Sequence, residues 1–469
     1  MLSARLKERL QGTRQPLVYF SVFASLRPAM TVIAASLVAS SAAQDKELAL
    51  PPLATAFLIW GLGALFYLVG FYHRVAPAVI TRELMSEFGL GAAALGNLAA
   101  LYYYGYVAIQ VPAGVLADAW GPRRLLTVGA VIATIGTMLF VLSPNYAGAG
   151  FGRLLIGGGA GVAFVAAIKL ASHWFPATRF AMLSGLLVGC GILGAVSAGV
   201  PLRWLVDLFS WRPVLFSLGV ITGFIAMAIW WLVRDDPNER GFASFAQKLT
   251  RQRVPVLTGI KQSLANRNVL VVVLVSGAMT GPMLAFGGLW GVPFLTTHYG
   301  LTTSQASMVT SFMLICWALS GPLLGALSDR VRRRRAPYVL GMLLTAFGWA
   351  CVILLPGLPL PLLVALLGVI GCASAAAMVG FAIVKESAPA ALAGTATGIA
   401  NVGNMLGSMI MPPLVGWSLD RHWNGAYANG VKVYDFDAYR SGFALMLAWV
   451  LCALIIVAFV RETHGRQQS

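Results

Sequence analysis

The chain has 469 residues, of which 58% are hydrophobic and only 10% charged, with a formal net charge of +17. A soluble globular chain holds about 25% charged residues, and a chain this apolar would aggregate in water, whereas a lipid bilayer removes that problem. The excess of Lys and Arg could suit nucleic acid, but basic clusters such as Arg332 to Arg335 sit beside long apolar runs, so membrane topology accounts for them and no nucleic-acid partner is expected.

Residues 17–43 are apolar but interrupted by Arg27 and Pro28, and the run after Pro28 ends in small residues, as a signal h-region does. A cleaved signal or an extra span would conflict with the loop charges described below. Residues 1–53 are therefore expected to form a cytoplasmic or interfacial segment. Twelve segments then reach the roughly 20 apolar residues that a spanning helix needs. Six run over 54–84, 90–116, 124–143, 148–173, 180–202 and 213–233, and six over 269–297, 303–327, 337–355, 359–384, 391–417 and 440–461. The expected fold is an all-α membrane protein with two six-helix bundles, 54–233 and 269–461. A cytoplasmic linker, 234–268, joins them, and a tail, 462–469, ends the chain.

Lys and Arg in short loops orient such a chain. They collect at Arg123 and Arg124, Arg179, the linker, Arg330 to Arg335 and Lys385, and at both termini, whereas the loops 144–147 and 356–358 have none. The bias puts both termini and the linker in the cytoplasm, with a bacterial inner membrane as the expected location. The five cysteines all lie inside apolar segments without a CxxC pair, and read as packing residues. No metal cluster, nucleophile–base pair or phosphate loop is apparent. Gly157 to Gly159 lies within an apolar helix and reads as packing, so no enzyme activity, metal or cofactor is expected.

The loop after segment 2 reads Gly114-Val-Leu-Ala-Asp118-Ala-Trp-Gly121-Pro-Arg123-Arg124, and that after segment 8 reads Gly325-Ala-Leu-Ser-Asp329-Arg330. Two such cores at matching positions mark a transporter built from repeats. The first resembles the loop 2–3 signature of the major facilitator superfamily, and the second is a partial copy. Arg153-Leu-Leu-Ile-Gly157-Gly-Gly159-Ala-Gly161 is a further match, and the resemblance covers about residues 54–461. It implies alternating access between two halves, with Gly114, Asp118, Gly121, Arg123, Arg124, Asp329 and Arg330 acting as a conformational latch. Physically, Asp118 can bond helix N-terminal N–H groups or an Arg across the halves, and Gly114 and Gly121 permit close approach and tight turning. A plain cytoplasmic turn is the alternative.

Ionisable groups at membrane depth are costly and usually functional. Segment 1 holds Tyr72, His73 and Arg74, and segment 4 holds Lys169, while no Asp or Glu lies in the middle of a span. Arg74 could grip an anionic solute with its planar fork, with Lys169 adding a point charge. Snorkelling to an interface is the alternative for each, and internal bridging is a further one for Arg74. Tyr72-His73-Arg74, with Lys169 to Pro176 closing segment 4, is similar to the anion:cation symporter and organophosphate antiporter branches, which implies an anion-binding Arg74. The Gly-Pro of drug-efflux branches is missing from Gly189 to Gly199. Tyr103, Tyr106, Gln110, Trp290, Asn401 and Asn404 are candidate path-lining groups, with helix–helix bonding or aromatic packing as the alternative. His73 and Glu386 are candidates for proton coupling, with anion exchange also open.

The expected function is secondary active transport of a small organic anion by alternating access, coupled to protons, by a monomer surrounded by lipid. An exporter of amphipathic compounds such as drugs or siderophores, and a transporter-like sensor, are the alternatives.

Overall fold

The computed structural model describes residues 49–245 and 256–464, apart from 356, 390, 391 and 429. The expectation for residues 17–43 lies outside these residues, as do Lys248, Arg251 and Arg253 of the linker.

The N-terminal half holds α1 (Leu53–Val79), α2 (Thr81–Phe88), α3 (Ala92–Trp120), α4 (Pro122–Leu142), α5 (Tyr146–Ala160), α6 (Ala163–Trp174), α7 (Phe180–Ser197), α8 (Val200–Phe209) and α9 (Trp211–Leu232). A linker helix, α10 (Val256–Ala265), packs on the start of the penultimate span. The C-terminal half holds α11 (Arg267–Ala285), a π turn (Phe286–Trp290), α12 (Gly291–Tyr299), α13 (Thr303–Val331), α14 (Arg335–Leu354), α15 (Leu360–Ser374), α16 (Ala377–Ser387), α17 (Ala393–Arg421) and α18 (Phe436–Val457). A small antiparallel hairpin, β1 (Tyr427–Ala428) with β2 (Val431–Lys432), sits between α17 and α18.

Local chemistry sets many of these boundaries. Asn145, Asn266, Thr302 and Asp435 each accept a backbone N–H at the start of a helix, which satisfies donors the helix itself cannot. Gly121 between α3 and α4 has φ +82, and a Cβ there would run into the Asp235 carboxylate, so this tight corner requires glycine. The π turn falls in the Gly/Pro-rich stretch Pro282 to Pro293, where the regular ladder is interrupted.

With the broken helices joined, ten stretches are long and apolar enough to cross a membrane, and an eleventh appears if α2 and α3 are taken together across their 115° bend. The sequence suggests twelve, and the stretch that falls short is α17. Its face carries Asn401, Asn404 and Ser408, which are partly or fully buried against other helices. A helix shielded from lipid does not need a continuous apolar surface. The first span also ends earlier than its pattern suggests, at Val79 rather than near residue 84.

The halves meet along α3 and α17. Gly96 abuts the backbone of Pro412 and Pro413, and Gly416 abuts that of Ala92, so main chain lies on main chain. Gly199, between α7 and α8, presses against Ser311 of α13. All three contacts lie towards the face of the bundle opposite the linker, here the far face. On the linker face the same interface helices are apart. Added Cβ atoms at Gly114 of α3, Gly185 and Gly189 of α7, Gly325 of α13, and Gly394 and Gly398 of α17 would meet nothing within 4 Å. The bundle is therefore closed on the far face and open on the linker face.

Candidate functional site

Residue 74 falls in the last two turns of α1, where the sequence leaves snorkelling as one option. The structure places Arg74 inward, with a relative exposure of 5%. Four aromatic rings surround its guanidinium: Phe71 at 4.2 Å, Tyr106 at 5.0 Å, Tyr102 at 5.6 Å and Tyr103 at 5.7 Å from the ring centroids. The i, i+3 and i, i+4 spacing of α3 puts Tyr102, Tyr103 and Tyr106 within reach of one cation. Tyr102 is fixed by donating its hydroxyl to the Gly70 carbonyl at 2.9 Å.

A second buried cation lies behind this cluster. Arg153 of α5 has a relative exposure of 2%, and its Nη1 donates to the His73 carbonyl at 2.7 Å. Its guanidinium lies 5.3 Å from the Tyr102 ring centroid, so one aromatic ring borders both cations. The Nε of Arg74 and the Nε and Nη2 of Arg153 are buried without a hydrogen-bond partner. Among the described residues neither guanidinium forms a salt bridge. Buried charges normally find a counter-charge, so two such cations without one stand out. The sequence shows Arg153 as part of a glycine-rich motif. Its position in an apolar run was the available signal of a buried charge.

Arg74 lines a cavity between the halves. Phe71, Val75, Ile192 and Ala195 line it from the N-terminal half, with Thr280, Leu284, Leu314, Trp317, Ala318, Asn404 and Met405 opposite. Thr280 Oγ1 lies 2.7 Å from Asn404 Oδ1, which ties α11 to α17. Asn401 Nδ2 donates to Gln110 Oε1 at 3.1 Å, a direct bond between the halves.

The other sequence candidates sit elsewhere. His73 is 2% exposed, and its Nε2 lies 3.3 Å from Thr137 Oγ1 of α4, away from the cavity lining. Lys169 bonds Asp118 Oδ1 at 2.8 Å and the Ala117 carbonyl at 2.5 Å, so it joins the linker-face motif and is separate from Arg74. Their 51-residue separation hides that pairing in the sequence. Trp290 is buried and donates to the Pro412 carbonyl at 3.0 Å, bracing α17.

The motif residues form two clusters on the linker face. Arg123 donates its backbone N–H to Asp235 at 2.6 Å, and its guanidinium binds the Trp230 carbonyl and stacks 4.5 Å from the Trp230 ring centroid. Arg124 is exposed beside it. Burial raises the Asp235 carboxyl above the usual range, with the Arg123 N–H pulling the other way. In the second half, Arg334 bridges Asp329 at 2.5 Å and Glu386 at 2.6 Å, Thr463 donates to Glu386, and Arg330 is exposed. Glu386 therefore pairs with Arg334 at the bundle end, well away from Arg74.

Known proteins resemble the chain along most of its length. Residues 59–291 and 282–469 match the family described as Major Facilitator Superfamily. The chain is 25% identical over 412 residues to the uncharacterized transporter YybO of Bacillus subtilis (strain 168), covering 83% of this chain and 91% of that one. It is 24% identical over 398 residues to the probable galactarate/D-glucarate transporter GarP of Escherichia coli (strain K12), covering 77% and 88%. Among solved structures it is similar in fold to a bacterial homolog of the human lysosomal transporter Spinster in an inward-facing, unoccupied conformation. That likeness has a TM-score of 0.69 at 17% identity and covers 87% of this chain and 97% of that one.

Proposed function

The chain belongs to the Major Facilitator Superfamily, and we propose that it is a secondary transporter of a small organic anion, working by alternating access and driven by protons. One observation carries the anion: Arg74 and Arg153 are buried together without a carboxylate partner among the described residues, and Arg74 reaches the cavity between the halves. A fixed positive charge in a low-dielectric chamber is neutralised by an anion and repels a cation. The relative GarP, named for galactarate and D-glucarate, supports the same charge class. Enzymatic chemistry is foreign to the family and its transporters.

The Lys and Arg distribution favours a bacterial inner membrane with both termini and the linker in the cytoplasm. The open linker face is then the cytoplasmic side, and this conformation faces inward. His73 is the proposed proton carrier, because its carbonyl holds Arg153 and its ring is buried beside the same cluster.

Thermal unfolding of the purified protein, screened against small carboxylates, sulfonates and phosphates across pH, tests the reading. A ligand at about a hundred times its Kd should add about 2.7 kcal/mol of apparent stability, and Arg74→Ala should remove the effect. If no anion stabilises the protein, the reading fails. Uptake that keeps its pH dependence in His73→Gln would remove His73 from the coupling.

A further inference from the structure

The two halves share charge unequally. The N-terminal half holds two buried cations without a salt bridge among the described residues, Arg74 and Arg153, whereas the buried Arg334 of the C-terminal half is paired with Asp329 and Glu386 at a helix end. In the C-terminal half, Lys, Arg, Asp and Glu of the described spans stand close to helix ends, as Asp329, Lys385, Glu386 and Asp420 do. The wall that faces Arg74 across the cavity is thus uncharged, and much of it is apolar: Leu284, Leu314, Ala318 and Met405.

Its polar groups are few and mostly engaged. The Thr280 hydroxyl is within hydrogen-bond reach of Asn404 Oδ1, the Asn404 carbonyl and the Ser276 carbonyl, all of them acceptors. Its single proton is therefore committed within the wall. Two lining residues hold buried polar atoms without a partner among the described residues: Arg74, through Nε, and Trp317, through its indole Nε1. Arg74 on one side, and the Trp317 indole and the Asn404 amide on the other, define a small polar demand in an otherwise greasy chamber.

We propose that the substrate is a compact monocarboxylate with an apolar body, aromatic or branched aliphatic. Its carboxylate meets Arg74, its body rests on Leu284, Leu314, Ala318 and Met405, and the Trp317 N–H supplies a second donor. This deepens the anion-transport reading and rests on it. A six-carbon sugar diacid would set a second carboxylate and several hydroxyls against the apolar wall, where unpaired polar groups are strongly disfavoured. A site that rejects polar groups it cannot pair discriminates steeply.

The test uses the purified full chain at neutral pH with three probes at equal concentration: benzoate, galactarate and the uncharged analogue benzyl alcohol. Benzoate should raise the unfolding temperature, and the other two should leave it unchanged. Trp317→Phe, which keeps the ring and loses the N–H, should weaken benzoate binding by about fivefold to tenfold while the ligand-free unfolding temperature holds. The wild-type comparison decides even if that variant folds poorly. Galactarate binding as tightly as benzoate overturns the proposal and leaves anion transport standing. Neither carboxylate binding overturns the proposal and leaves anion transport to the wider screen of sulfonates and phosphates, whereas benzyl alcohol matching benzoate overturns both.

Discussion

The Asp420 carboxylate accepts the backbone N–H of Ala93 at 2.8 Å, so the end of α17 in one half caps the start of α3 in the other. The Ala92 N–H, the Tyr434 hydroxyl and Lys432 Nζ bond the same carboxylate at 3.2, 2.7 and 3.3 Å. This charge-assisted cap joins the two halves at the closed far face. Asp420→Ala should destabilise the shut state by about 1–2 kcal/mol, a shift of about 5–30-fold in the conformational equilibrium. Distances between spin labels at Ser86 and Tyr427 should lengthen in a larger fraction of molecules. An unchanged distance distribution would remove the role of Asp420.

Closure on the linker face should demand the same main-chain proximity that Gly96 and Gly416 provide on the far face. Gly398 of α17 now faces open space, so Gly398→Leu should fold and bind ligand normally yet lose counterflow. Full transport in this variant would show that the linker face closes without α17 approaching its partner.

Gln110 and Asn401 hold the halves together near the cavity through one bond of 3.1 Å. A double-mutant cycle with Gln110→Ala and Asn401→Ala, read by thermal unfolding, should give a coupling of about 0.5–1.5 kcal/mol. Additive effects would mean that the amides act separately.

Glu462 fastens the chain's end to α14 by accepting the backbone N–H groups of Arg334 at 2.7 Å and Arg335 at 3.0 Å. Burial raises its carboxyl, but the N–H bonds from Arg334, Arg335, His464 and Thr463 outweigh that and hold it below the ordinary 4.5. A carboxyl depressed in the folded state stabilises above its unfolded value and loses that contribution as pH falls through the folded one. Stability should therefore drop with acid below about 4.5, and Glu462→Gln should lower stability at neutral pH and flatten that acid limb. Parallel pH curves for the two proteins would contradict this.

Much of the architecture is legible in the sequence, because a bilayer imposes long apolar runs and the Gly-x-x-x-Asp cores at Gly114 and Gly325 repeat at matching places. The exception is instructive: α17 is polar enough to fall short as a span because α3 and α11 shield it, and only packing reveals that. Arg74 is visible as a cation in a greasy run. Arg153 is equally visible as a letter, but its neighbour His73 is 80 residues away. Lys169 illustrates the converse, since a lysine at depth looks like a ligand until Asp118 is found beside it. The unpartnered indole of Trp317 has no sequence signature.

Pro412 and Pro413 stand together inside α17. Neither has an N–H, so the carbonyls of Ser408 and Met409 go without their α-helical donors, and the rod is weakest one to two turns from Asn404. The helix is thereby divided into two lever arms, one ending at the Asp420 cap and the other carrying Gly394 and Gly398. With fewer backbone bonds at this joint, less resists a bend between the docked outer arm and the inner one.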